Sequence, residues 1–292
     1  MTEAPHPAEP NRTVLSKHHG LGNDFLIAVD PATPPGSAEA RRWCDRHVGV
    51  GADGLLVATP GDPEVAGVRR HWRMVLWNAD GSRAEISGNG IRCLGQAIAG
   101  AEGLDPSTDQ ELVIETDAGT RTLRIRAGEV PAEGYQPTTV QVQAGMGKAV
   151  EGPQASDRWA EVGVPVTGQR GVDIGNPHLV AYVDGAETLS RFDMAALGPV
   201  IEADYPGGCN VHLVAVVGPD RLSLKVWERG AGVTQACGSG ACAAAWAANA
   251  AGLVGDEVTV DMPGGSAVVT ITPDEILLTG PAVRVADVII DG

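Results

Sequence analysis

Cys237 stands immediately before Gly-Ser-Gly and an alanine-rich run, and Ser87 stands immediately before Gly-Asn-Gly and an apolar run. Each arrangement predicts a tight turn opening a helix, with a sulfur or an oxygen at its mouth. The first N–H groups of a helix have no intrahelical acceptor, and the aligned peptide dipoles favour negative charge there. A thiol so placed should ionise more readily than a free one, and a carboxylate can dock beside it. The glycines let the backbone approach that ligand closely. The chemistry on offer is that of an activated thiol next to a bound anion. A plain structural turn into a helix fits the same residues.

The elements that must position these groups occur twice. Gly22-Asn23-Asp24-Phe25-Leu26-Ile27-Ala28 matches Gly175-Asn176-Pro177-His178-Leu179-Val180-Ala181 at an offset of 153 (22 to 175). Trp77-Asn78 leads to Ser87, and Trp227-Glu228 leads to Cys237, at an offset of 150 (87 to 237). Near-equal offsets imply a duplicated unit, with special chemistry where its two copies face each other. Asn23 and Asn176 could each merely cap a turn, but their recurrence favours a shared site. Residues 26–29, 55–57 and 74–77 are short, apolar and strand-like, as are 179–183, 211–217 and 222–227. Beyond each glycine turn, residues 91–99 and 241–248 are helix-forming and apolar enough to be buried central helices. Residues 112–125 and 258–278 return to β-branched, alternating sequence. The fold class expected is α/β (α+β): two pseudo-symmetric halves, each a mostly antiparallel sheet wrapped on one helix, with the active site in the cleft between them. The boundary falls at 130–137, rich in Pro and Gly. This gives an N-terminal half of 1–133, to which a strand at 281–292 returns, and a C-terminal half of 134–280.

Composition narrows the partners. The 292 residues carry a formal charge of −16 and only three lysines, Lys17, Lys148 and Lys225, so no broad basic surface exists to meet a phosphate backbone. Nucleic acid is therefore excluded as an expected partner. No run of about 18 apolar residues occurs, so no membrane span is expected. Five cysteines, an odd number without a regular framework, suit free thiols in a reducing cytoplasm. Cys44, Cys93, Cys209 and Cys242 read as inert packing. The scattered histidines offer no zinc set, so no metal is expected. The glycine-rich stretch 49–54 fits a dinucleotide loop, but helix-like residues 38–48 precede it and strand-like 55–57 follow, the reverse of what such a loop needs.

Several motifs together resemble the diaminopimelate epimerase family. They are Gly-Leu-Gly-Asn-Asp-Phe at 20–25, Asn-Ala-Asp-Gly-Ser at 78–82, Gly-Asn-Gly-Ile-Arg-Cys at 88–93, Gly-Asn-Pro-His at 175–178, Glu-Arg-Gly-Ala-Gly at 228–232 and Ala-Cys-Gly-Ser-Gly-Ala-Cys at 236–242. They extend across essentially the whole chain in family order. The resemblance implies a cofactor-independent homodimeric enzyme that interconverts LL- and meso-diaminopimelate for lysine and peptidoglycan precursors. It implies a two-base mechanism in which one thiolate takes the α-proton and a group on the opposite face returns one. Carried over by motif, Cys237 is catalytic, and Ser87 sits where the family has its first catalytic cysteine. Asn23, Asn78, Asn176, Asn210, Glu228 and Arg229 would hold the substrate's polar ends, with Gly88, Asn89, Gly238 and Ser239 supplying helix-end contacts and His178 supporting the site. The family often has glutamine where Gly54 stands, so no substrate contact is assigned there.

Ser87 is the main departure, because a hydroxyl is a far weaker acid than a thiol. A racemase or epimerase of another amino acid using a Ser/Cys pair, and a silent amino-acid-binding protein, are the competing readings.

Overall fold

The computed structural model describes residues 12–62, 70–105, 108–127 and 139–291. The expected boundary at 130–137 lies outside the described residues.

One continuous sheet carries two copies of the same pairing scheme. In the first half, β1 (Arg12–Gly20), β2 (Asn23–Val29), β3 (Gly54–Pro60), β4 (His71–Asn78), β6 (Gln110–Thr116), β7 (Gly119–Ala127) and β8 (Thr139–Gly145) follow one another across the sheet, with the short β5 (Arg83–Ala84) beside β4. Their senses run antiparallel, parallel, antiparallel, parallel, antiparallel, antiparallel. In the second half, β10 (Gly168–Asp173), β11 (Pro177–Val183), β12 (Asn210–Gly218), β13 (Arg221–Trp227), β14 (Glu257–Met262), β15 (Gly265–Ile271) and β16 (Ile276–Asp291) repeat that order, with β9 (Val150–Glu151) at the edge. A parallel pair needs a crossover, and helices supply it. Helix α1 (Ser37–Cys44) lies between β2 and β3, and α2 (Gly88–Ala101) between β4 and β6. The second half has α3 (Arg158–Glu161) ahead of β10, α4 (Gly185–Ser190) and α5 (Met194–Glu202) between β11 and β12, and α6 (Gly238–Ala250) between β13 and β14.

Strand β16 belongs to both halves. Its first residues pair with β15 and β8, and its remainder runs along β1 from His19↔Val283 to Arg12↔Asp291. The pairing β1–β16 closes the first half into a ring of eight strands around α2.

The apolar runs are continuous rather than alternating because both faces of these strands are covered. On β2, Phe25 and Ile27 face the central core with α2, while Leu26 and Ala28 pack with Ala40 and Trp43 of α1. On β11, Val180 and Tyr182 face the central core, while Leu179 and Ala181 pack with Leu197 and Ile201 of α5. Residues Gly88 to Ile98 of α2 are all buried. Helix α6 threads its own curled sheet because alanine both favours helix and keeps the cylinder thin, and Ala241, Ala243, Ala244, Ala245, Ala247 and Ala248 are fully enclosed. Enlarging one of them would overpack the core at a cost of about 1–3 kcal/mol.

Local details depart from the sequence reading. The helix expected over 38–48 stops at Cys44, because Asp45 Oδ1 accepts from the amides of His47 at 2.7 Å and Val48 at 2.9 Å and turns the chain out. The β-rich stretch 112–125 is a hairpin, β6 to β7, and 258–278 is three strands. Among the described residues no helix is long and apolar enough to cross a membrane.

Candidate active site

Ser87 and Cys237 are the N-caps of the two central helices. Both have extended backbone, with φ −130°, ψ 123° and φ −122°, ψ 108°. Ser87 Oγ accepts from the Gly90 amide at 3.0 Å, and Cys237 Sγ accepts from the Gly240 amide at 3.3 Å. The two helices meet end to end at Gly88 and Gly238, whose backbones are in contact. Ser87 and Cys237 therefore open onto one cleft of about 760 Å³. Gly88, Asn89, Gly238 and Ser239 line it with them, and amides at these first helical positions have no acceptor within their own helix.

The cleft also gathers Asn23, Asn78, Asn176, Asn210, Glu228 and Arg229, so every residue assigned from the motifs lines it except His178. Asn23, Asn78 and Asn210 spend part of their hydrogen-bonding capacity on the protein. Asn23 donates to Asp53 Oδ2 at 2.7 Å, Asn78 to Ser82 Oγ at 3.0 Å, and Asn210 to the Pro177 carbonyl at 2.9 Å. Asn210 Oδ1 in turn accepts from the Arg229 amide at 3.0 Å. Such bonds fix each amide's orientation and leave its second lone pair or hydrogen for a ligand.

His178 sits one layer back, fully buried. Its Nε2 meets Asn176 Oδ1 at 2.8 Å, and its Nδ1 meets His212 Nε2 at 2.8 Å. The oxygen can only accept, so the network assigns the proton of His178 to Nε2 and has His212 donate to Nδ1. Asn176 is thereby turned with its NH2 free of the histidine. Burial holds His178 well below the ordinary imidazole range and His212 at about 3, so both are neutral.

The thiol corrects one expectation. The Gly240 amide and the Ser239 hydroxyl, 3.6 Å away, do favour the thiolate. Burial acts against them and wins, reinforced by the neighbouring Glu228 carboxylate, so Cys237 lies well above the ordinary thiol range and rests as a thiol. Glu228 is itself raised, mainly by burial, despite hydrogen bonds from Thr234 and Cys237. The two side chains hydrogen-bond each other, which favours the thiol on Cys237 and the carboxylate on Glu228. The other four cysteines are buried and free, with thiols pushed up to about 12 by burial, as inert packing requires.

Sequence reasoning missed several cleft residues. Asp53 anchors Asn23, accepts from the Asp24 amide at 3.1 Å and pairs with Arg46 at 2.7 Å. Glu85 pairs with Arg229 at 3.3 Å. An acid enclosed by glycine and alanine at 51–54 was the available signal for Asp53, but Arg46 and Glu85 carry none. The lining thus mixes acids (Asp53, Asp80, Glu85, Glu228) with arginines (Arg46, Arg83, Arg229).

This geometry agrees with comparisons to known proteins. The family model described as Diaminopimelate epimerase matches residues 15–150 and 171–285. A diaminopimelate epimerase of Synechocystis is 36% identical over 285 residues, covering 93% of this chain and 96% of the relative. One from Thermosynechococcus vestitus is 38% identical over 293 residues, covering 93% and 96%. Among solved structures, a hydroxyproline epimerase from Agrobacterium vitis superposes with a TM-score of 0.66 at 15% identity, covering 97% of this chain and 94% of that one. A predicted epimerase from Pseudomonas aeruginosa gives 0.74 at 17% identity, covering 95% and 99%. At those identities the structures attest the fold, and the sequence matches attest the family: the chain belongs to the diaminopimelate epimerase family.

Proposed function

We propose that the protein interconverts LL- and meso-2,6-diaminopimelate by proton transfer at one α-carbon without a cofactor, a step toward lysine and peptidoglycan precursors. The observation that carries this reading is the meeting of two helix N-termini, one from each half, with Ser87 and Cys237 as their caps on a common cleft. Inversion needs two groups on opposite faces, because one group returns the proton to the side it left. Cys237, its proton passed to Glu228, takes the α-proton as a thiolate. The electron pair spreads into the α-carboxylate, which the amides of Gly88, Asn89, Gly238 and Ser239 stabilise. The Ser87 hydroxyl delivers a proton to the other face and must then be reprotonated. The mixed acids and arginines of the cleft suit a ligand with an ammonium and a carboxylate at each end, and Arg229 is the guanidinium fork for the distal carboxylate. Asn23, Asn78, Asn176 and Asn210 complete the grip.

A hydroxyl opposite a thiol makes the pair unequal. On this reading Cys237 still exchanges the α-proton of one stereoisomer while inversion is slow. Incubating each stereoisomer in deuterated water and following label and configuration together tests it. Label with slow inversion supports the proposal, binding with neither label nor inversion indicates a silent binding protein, and inversion of another amino acid alone moves the substrate assignment. That last reading, a different amino acid handled by a Ser/Cys pair, rests on Ser87.

The halves are proposed as 1–133 with 281–292, and 134–280; the β1–β16 pairing supports the return of the last strand, whereas β8 at 139–145, paired between β7 and β16 in the first half's ring, favours a boundary after it. A cytoplasmic homodimer is proposed on the family likeness and on five free, buried thiols.

A further inference from the structure

Arg92 lies in the second turn of α2, fully buried, with its guanidinium folded back over the helix start. Nη1 donates to the Gly88 carbonyl at 2.8 Å and Nη2 to Asn89 Oδ1 at 2.7 Å. Glycines make the room for it: a Cβ on Gly20 or on Gly280 would stand 3.2 Å from guanidinium atoms. Among the described residues no carboxylate pairs with this charge, and its Nε has no partner. A cation at a helix N-terminus opposes the helix dipole, and an unpaired buried charge is costly to desolvate. Arginine is therefore a poor choice here for packing alone.

What it holds is Asn89. An amide has one accepting and one donating end. With Oδ1 taken by Arg92, the nitrogen points the other way, donating to the Ala236 carbonyl at 2.8 Å and to Asn23 Oδ1 at 3.2 Å. Ala236 belongs to the other half and directly precedes Cys237.

We propose that Arg92 is a positioning residue: through Asn89 it grips the Ala236 carbonyl and keeps the start of α6, with Cys237, in register with the start of α2, with Ser87. The proposal deepens the epimerase reading and rests on it for its catalytic consequence.

Arg92→Met, Arg92→Lys, Asn89→Leu and the double variant Arg92→Met with Asn89→Leu test it, by kcat and KM on diaminopimelate and by hydrogen exchange of peptides over 234–240 and 241–250. Arg92→Met should lose kcat by about 100-fold, the scale of an ångström's misplacement of a reacting group, with a much smaller change in KM. Arg92→Lys, which keeps a donor for Asn89, should recover part of the loss. The double variant should be no slower than the slower single variant, since both act along one relay. Amides in 234–240 should exchange faster in Arg92→Met while those in 241–250 do not. A folded Arg92→Met with the parent's kcat and the parent's exchange at 234–240 overturns the proposal, as do additive losses in the double variant. If Arg92→Met does not fold, Asn89→Leu decides, and the parent's kcat there overturns it equally. A parent protein that leaves diaminopimelate unchanged counts against the substrate reading alone, and the exchange at 234–240 still decides the role of Arg92.

Discussion

Gly88 and Gly238 touch backbone to backbone: a Cβ on Gly238 would lie 2.8 Å from the Gly88 Cα, and a Cβ on Gly88 would lie 3.0 Å from the Gly238 Cα. Neither backbone can yield without moving the helix it begins. The absence of two methyl groups is thus what lets two sets of helix-end donors open onto one cleft. Gly238→Ala should destabilise the fold by about 1–3 kcal/mol, the usual cost of overpacking. It should also lower turnover by more than the melting temperature alone explains, because the two caps are pushed apart. Thermal unfolding and kcat, measured on both Gly88→Ala and Gly238→Ala, check this. Parental activity in either variant would show that the contact does not set the site.

On the proposed mechanism, replacing Ser87 by cysteine supplies a group acidic enough to share proton transfer with Cys237. Proton transfer by a well-placed side chain is worth roughly 100-fold or more, so epimerisation by Ser87→Cys should rise on that order. Deuterium exchange from the face served by Cys237 should change far less. An inversion rate that does not move would mean that the hydroxyl is already competent.

Glu228 adds to the raised thiol of Cys237. Burial is the largest cause of the raised thiol, and the carboxylate's charge is the next. Removing a negative neighbour favours the thiolate, so Glu228→Gln should shift the titration of Cys237 toward lower pH without bringing it to that of a free thiol. Alkylation by iodoacetamide, read by mass spectrometry on the Cys237 peptide across pH, measures this directly. In the parent protein the reactivity should still be rising above pH 9.0, the ordinary value. An unchanged midpoint in Glu228→Gln would leave burial as the whole cause.

How far these features were legible in the residues depends on what each one needs. The doubled architecture was legible because a strand covered on both faces must be apolar throughout, and Phe25 to Ala28 and Leu179 to Ala181 announce that twice. The helix starts were legible because the glycines at 88, 90, 238 and 240 make room for a tight junction. The state of Cys237 was not. Its helix end and its burial pull in opposite directions, and only packing decides between them. Arg46 and Glu85 were invisible for a related reason: each is tied to the cleft by an ion pair that only the folded chain creates, Arg46 with Asp53 across a turn and Glu85 with Arg229 from the other half. Nothing local marks either of them.

Three buried histidines give the fold a defined acid limit. Burial lowers His18 to about 4, even though Gln96 hydrogen-bonds it at 2.8 Å, lowers His212 to about 3, and carries His178 well below the ordinary range. Each is therefore neutral in the folded protein, whereas in the unfolded chain it takes up a proton near pH 6.5. Between that pH and about 4 the unfolded state binds more protons, so stability falls as the pH falls through this window. Three such groups together give a slope approaching about 4 kcal/mol per pH unit in the middle of the window. Urea unfolding at intervals from pH 7 downward measures it. A stability that stays level to pH 4.5 would mean that these imidazoles are charged inside the fold, which the bond from His178 to His212 and the unpartnered Nδ1 of His212 do not accommodate.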